Sequence, residues 1–261
     1  MEIVTAPNAA APPRRRVALR PLALPSEHGG WGILLEPATV GLLVAFSWTG
    51  ALLGVAALGA FLGSHPLRLA LQDAERGKRY PRTPYCWALA WAYLFVAGCA
   101  LVFAARAGGP RILIPLGLVA PLAMVRVLYD AHNRGRELLP ELSGAAAMSS
   151  LAAAIAIAGG MRIVPALGLA GIVLGRSLPS IVYVRGLLRG APAWPALLLH
   201  GVAAGVVAIY GPPLAIAAMV LLLLRAIWGV THERPAARMV GWREIVFGAI
   251  TVALVAAAFL A

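Results

Sequence analysis

Acidic side chains are the scarcest chemistry in this sequence. Ten Asp and Glu stand against 22 Lys and Arg, and charged residues of both signs make up only 12% of the 261 positions. With so few carboxylates, no His, Cys, Asp and Glu cluster occurs at the spacing of a metal centre. Cysteine is nearly absent as well. Cys86 and Cys99 share one apolar run, where a helix would hold them ~20 Å apart, too far for a disulfide. A disulfide framework and a C-x-x-C redox site are thereby excluded. Also missing is the polar surface of a soluble domain. Hydrophobic residues reach 61% and the mean hydropathy is +0.84, where a soluble domain is nearer half apolar and a quarter charged. A chain of this size cannot bury so much apolar surface in its own interior, so a bilayer has to cover the rest.

What is present is a succession of long apolar runs, near residues 30–47, 50–64, 85–105, 112–128, 142–160, 163–182, 194–210, 213–230 and 243–260. They are continuous rather than alternating, and only helices or closed barrels satisfy their backbone in lipid. The expected fold is therefore an all-α integral membrane bundle of about nine transmembrane helices. Residues 1–24, rich in Ala, Pro and Arg, are expected to form a disordered tail without a cleavable signal pattern. Residues 25–261 are expected to form a single polytopic domain.

Alternating the loops about these runs gives a strong asymmetry. All of the 22 bases except Arg106, Arg111 and Arg162 fall on one side. By the positive-inside rule that side, with the amino terminus, is cytoplasmic, and the expected location is the cell membrane. The acids follow the bases. The net charge of +12 flanks membrane segments and makes no free-standing basic stripe, so nucleic acid is excluded as a partner and anionic headgroups are expected instead.

Several ionisable groups lie inside the runs. Glu36, Arg126, Arg176, His200 and Arg225 each sit on the order of 4–10 Å from the basic end of a helix. Charge at such depth is costly and faces a partner or water, so the expectation is one shared polar cavity. The Arg126, Asp130, Arg134 spacing offers an i, i+4, i+8 salt-bridge ladder. Glu141 follows Pro140 at the start of a helix, where its charge favours the helix dipole. The stretch from Arg68 through Asp73, Lys78 and Arg79 to Arg82 reads either as a solvated loop that fixes topology or as an anion site above an apolar cavity.

The opening block Pro25-x-Glu27-His28-Gly29-x-Trp31-Gly32, with Glu36-Pro37, resembles the YwiC-like membrane proteins. The wider layout resembles the UbiA superfamily of intramembrane prenyltransferases. That resemblance implies nine helices and a site opening to the cytoplasm. It also implies a first aspartate motif where Asp73 and Lys78-Arg79-x-Pro-Arg82 fall, and a helix 4–5 connection like the Tyr129 to Gly144 block. The chain departs from it in two places. Asp73 and Glu75 form no Asp-x-x-x-Asp pair, and the place of the second motif holds Tyr183-Val184-Arg185 without an acid. Mg²⁺, which such enzymes use, is therefore poorly provided for.

Two readings of function stay open. In the first, a prenyl or other lipid-soluble substrate reacts at the cytoplasmic face, with Glu36, Glu141 and His28 as catalytic candidates. Arg68, Asp73, Lys78, Arg79, Arg126, Tyr129, Arg176, Arg185 and Arg225 would bind that substrate. In the second, the chain is a non-catalytic membrane protein that binds lipid or an isoprenoid small molecule, or assists assembly. A transporter is disfavoured, because the half away from the bases is almost free of polar groups and no inverted repeat is visible.

Overall fold

The computed structural model describes residues 17–25, 28–78, 80–232 and 236–261, with His28 described by its backbone alone. Of the expected tail, residues 1–16 lie outside the described residues. Arg20–Ala23 forms a short helix, α1, whose Leu22 is buried against Ala70 and Cys86. The described residues hold no strand. Their long helices are α2 (His28–Val44), α3 (Trp48–Glu75), α4 (Thr83–Gly108), α5 (Ile114–Ala131), α6 (Leu138–Ala158), α7 (Ile163–Arg189), α8 (Trp194–Tyr210), α9 (Pro213–Thr231) and α10 (Ala237–Leu260). Each corresponds to one of the apolar runs. Seven crossings, among them α5 joined to the 3₁₀ turn that precedes it, are long and apolar enough to span a membrane. The two others, α2 and α8, have 17 residues each, at the short end of the usual range. The protein is an all-α, multi-pass membrane protein.

Helix starts follow local chemistry. Ser47 Oγ accepts the Gly50 N–H at 2.9 Å and caps α3. Helices α4, α5, α8 and α9 each carry proline in the first turn, where its missing N–H costs nothing. Proline also lies inside α2 (Pro37) and α7 (Pro179). Each removes one internal helix hydrogen bond, and each is next to a residue of the ionic cluster described below.

The middle of the bundle is occupied by α6. It packs against α2, α3, α5 and α7, and the run Ala152–Ala156 is fully buried. Four of those five residues are alanine, so neighbouring backbones approach closely and gain packing that lipid cannot give. Around this helix lie two apolar clusters. One is built on Leu169, Met219 and Leu222, the other on Leu34, Leu53, Ile112 and Ile155. The outer surfaces of α4 and α5 expose Trp91, Phe95, Phe103 and Leu118, as suits helices facing lipid tails. Close contacts tie the loops of each end together. At the basic end Gln72 Nε2 donates to Asn133 Oδ1 at 2.9 Å. At the opposite end Gly159 lies against the Ala45 carbonyl and Gly108 against Thr49.

Candidate functional site: an ionic network shared by five helices

Five helices bring their polar residues to one point in the basic half. Glu36 comes from α2, Arg176 and Ser180 from α7, His200 from α8, Arg225 from α9 and Glu244 from α10. Both arginines are buried, at 4% and 5% exposure, so each must be neutralised within the protein. Arg176 donates to Glu36 Oε1 at 3.2 Å and to Glu244 Oε2 at 3.3 Å. It also reaches the Glu244 carbonyl at 3.2 Å and bonds Ser180 Oγ. Arg225 pairs with Glu244 Oε1 and donates to Ser180 Oγ at 3.2 Å. Two guanidinium groups thus meet two carboxylates, and Glu244 serves both arginines.

His200 closes the network. Arg225 donates to its Nε2 at 3.1 Å, and its Nδ1 donates to the Ala196 carbonyl at 2.8 Å. The imidazole is therefore neutral, with its proton on Nδ1. The Tyr183 ring lies under Arg225, 4.3 Å from the guanidinium carbon to the ring centroid, a cation–π contact that replaces part of the lost hydration. Close approach of α10 to Glu36 depends on Gly248, where an added Cβ would stand 2.2 Å from Glu36 Oε1.

Two donors in the network have no acceptor: Nε of Arg176 and Nε of Arg225, both buried. Arg176 and Glu36 also end a slot between α2, α7 and α10 whose walls include Val40, Ile172, Val173, Val252 and Val255. The slot holds about 10 Å³ in this structure, roughly one water's worth. Its lining joins these apolar side chains and Thr251 to the polar ends of Glu36 and Arg176.

Of the expected shared layer, Glu36, Arg176, His200 and Arg225 come together. Arg126 does not. It lies on α5 and pairs with Asp130 at 2.8 Å and the Gly135 carbonyl at 2.9 Å, because its position on that helix faces the 5–6 connection. The expected ladder stops there, since Arg134 turns to Glu137 at 2.6 Å and stacks on Tyr129 at 5.2 Å. Glu141 and Arg185 form their own pair at 2.7 Å, with Arg185 also donating to the Arg136 carbonyl. Asp73 is fully buried. It accepts from Arg82 at 2.7 Å and from Thr83 Oγ1 at 2.7 Å, joining the end of α3 to the start of α4. That carboxylate holds the Arg82 guanidinium above its usual pKa. Lys78 is exposed and Arg68 half-buried, neither with an ion pair among the described residues. Arg79 and the His28 side chain lie outside them. No three His, Cys, Asp or Glu among the described residues are grouped to hold a metal ion.

Sequence reasoning left out Glu244, Ser180 and Tyr183. A charge count would have found the first. Arg126, Arg176 and Arg225 lie in apolar runs and call for carboxylates, and after Glu36 the only other acid within a long run is Glu244.

Membrane-spanning helices gathered on a buried, internally balanced ionic network define a polytopic α-helical membrane protein. The sequence profile of the YwiC-like protein family matches residues 24–156, just over half of the chain, and the chain belongs to that family. The match covers α2 to α6, so Glu36 is the one network residue within it. No curated protein and no solved structure matches the chain.

Proposed function

We propose that the protein binds a neutral, lipid-soluble amphiphile drawn from the bilayer, with a hydroxyl or carbonyl head at the Glu36–Arg176 end of the slot. The supporting observation is Arg176 Nε, a buried donor without an acceptor on a residue that lines an apolar slot. Such a donor costs about 1–3 kcal/mol unless something accepts its hydrogen bond. The charge balance selects the head. Two cations already meet two anions, so a diphosphate would bring charge that nothing there compensates, whereas a carbonyl or hydroxyl brings none. The layout resemblance to isoprenoid-handling membrane proteins points to an isoprenoid alcohol or quinone. Entry requires Val252 and Val255 on α10 to move aside, since the slot is closed to anything larger than water.

Prenyl transfer is the second reading, carried by the same resemblance. It is less well supported, because, of the expected substrate-binding residues, Asp73 and Arg185 already pair with Arg82 and Glu141, which leaves Arg68 and Lys78 without an ion pair among the described residues. We also propose that the basic end faces the cytoplasm of the cell membrane, on the positive-inside rule. Impermeant labelling of single cysteines at Glu75 and Val164 should then occur from opposite sides, with Glu75→Cys reacting from the cytoplasm.

The test of function is the lipid extracted with the purified protein and identified by mass spectrometry, for wild type and for Val255→Trp. A neutral isoprenoid that is retained by wild type and lost from the variant supports the proposal. Retention of bulk phospholipid alone by both contradicts it. Turnover of geranylgeranyl diphosphate with Mg²⁺ would establish the second reading.

A further inference from the structure

The end opposite the network carries little charge, and two of its bases line one groove. Among the described residues it holds no Asp or Glu, and its bases are Arg106, Arg111 and Arg162. Two of the three, Arg111 and Arg162, line one groove of about 650 Å³, within the size range of small-ligand sites. They come from different loops. Arg111 sits in the 3₁₀ turn Pro110–Leu113, held in place by fully buried Ile112. Arg162 follows the end of α6, where Gly160 turns the chain at φ +96°. There Gly160 N–H bonds the Ile157 carbonyl and Met161 N–H the Ala156 carbonyl, both at 3.0 Å, the closed helix ending that glycine permits. Neither guanidinium has an ion pair or hydrogen bond among the described residues.

The groove also receives the start of α7. Arg162, at its N-cap position, makes no side-chain cap, and Pro165 has no N–H, so the Ile163 and Val164 amides are uncapped at the positive end of a 27-residue helix. Both arginines are exposed and stand next to helix ends. These two line a protein groove together with free helix amides, the combination that recognises a phosphate.

We infer that this groove is a binding site for a phosphate-bearing anion, on the face of the protein opposite the ionic network. Its chemistry fits a phospholipid headgroup or a free phosphate compound equally, and the two are separable by experiment. Full-length protein is placed in nanodiscs of phosphatidylcholine with increasing phosphatidylglycerol, and in detergent with inorganic phosphate or glycerol phosphate. Binding is read by native mass spectrometry and thermal shift. The variants are Arg111→Gln, Arg162→Gln, and Val164→Glu, which adds a carboxylate at an exposed rim position (80% exposed) that bears no load in the fold. Arg106→Gln, outside the groove lining, is the control. Each arginine removed should weaken binding about tenfold or more, Val164→Glu should abolish it, and the control should leave it unchanged. Saturable binding only to phosphatidylglycerol assigns a headgroup site, and saturable binding to soluble phosphate assigns a free-anion site. Equal binding by wild type and Val164→Glu, or no binding by the wild type to any of the probes, would overturn the inference.

Discussion

Arg225 donates to His200 Nε2 at 3.1 Å, so a cation uses a neutral imidazole as an acceptor inside the membrane domain. Protonation at Nε2 would set two donors face to face. The expected state at neutral pH is the Nδ1–H tautomer, bonded to the Ala196 carbonyl at 2.8 Å. Nitrogen-detected NMR of histidine-labelled protein should find one ring whose Nε2 is unprotonated and which loses that signature in Arg225→Lys. A protonated Nε2 at His200 would mean that Arg225 is oriented elsewhere.

Glu244 should matter more than Glu36, because it neutralises both arginines while Glu36 meets Arg176 alone. Breaking a buried pair costs about 3–5 kcal/mol in soluble proteins. Side-chain exposures of 17% and 19% for the two glutamates place these pairs toward the low end of that range. Unfolding in mixed micelles should show Glu244→Gln less stable than Glu36→Gln. The reverse order would contradict the shared role of Glu244.

Gly248→Ala should act on Glu36 from a different helix. Its Cβ would meet Glu36 Oε1 at 2.2 Å and Arg176 Nη2 at 3.3 Å, so the carboxylate must swing out of its pair. The substitution should lower stability by about as much as Glu36→Gln, and the two together should cost little more than either alone. Additive losses would show that Gly248 and Glu36 act separately.

Arg185 and Glu141 form an independent pair, partly open to solvent at 20% and 27% side-chain exposure. A double-mutant cycle with alanine should give a coupling of about 1 kcal/mol, near the top of the range for exposed pairs. Neither substitution should change the lipid retained by the protein. A cycle without coupling, combined with altered lipid content, would return Arg185 to a substrate-binding role.

The helices, and the common level at which Glu36, Arg176, His200 and Arg225 meet, were legible in the sequence, because apolar run length and rise per residue are local properties. Which groups pair was not. The sequence puts Arg126 at the same level as Arg176, yet its helix turns it to Asp130 and Gly135, and only packing decides the rotation of a helix about its own axis. Asp73 shows the same limit. Its spacing from Arg82 is visible, but its complete burial at the start of α4 is set by how α3 and α4 meet. The arginine-lined groove was hidden for a further reason, since Arg111 and Arg162 lie in separate loops that only the bundle brings together.

The central claim, that the slot beside Glu36 and Arg176 receives a neutral lipid-soluble ligand, is tested most directly by photolabelling in native membranes. A diazirine-bearing isoprenoid alcohol or quinone is cross-linked and the adducts are mapped by mass spectrometry. Adducts concentrated on Val40, Val252 and Val255, competed by unlabelled ligand and lost in Val255→Trp, are the predicted result. Adducts spread over the lipid-facing residues of α4 and α5, unchanged by that substitution, would contradict the claim.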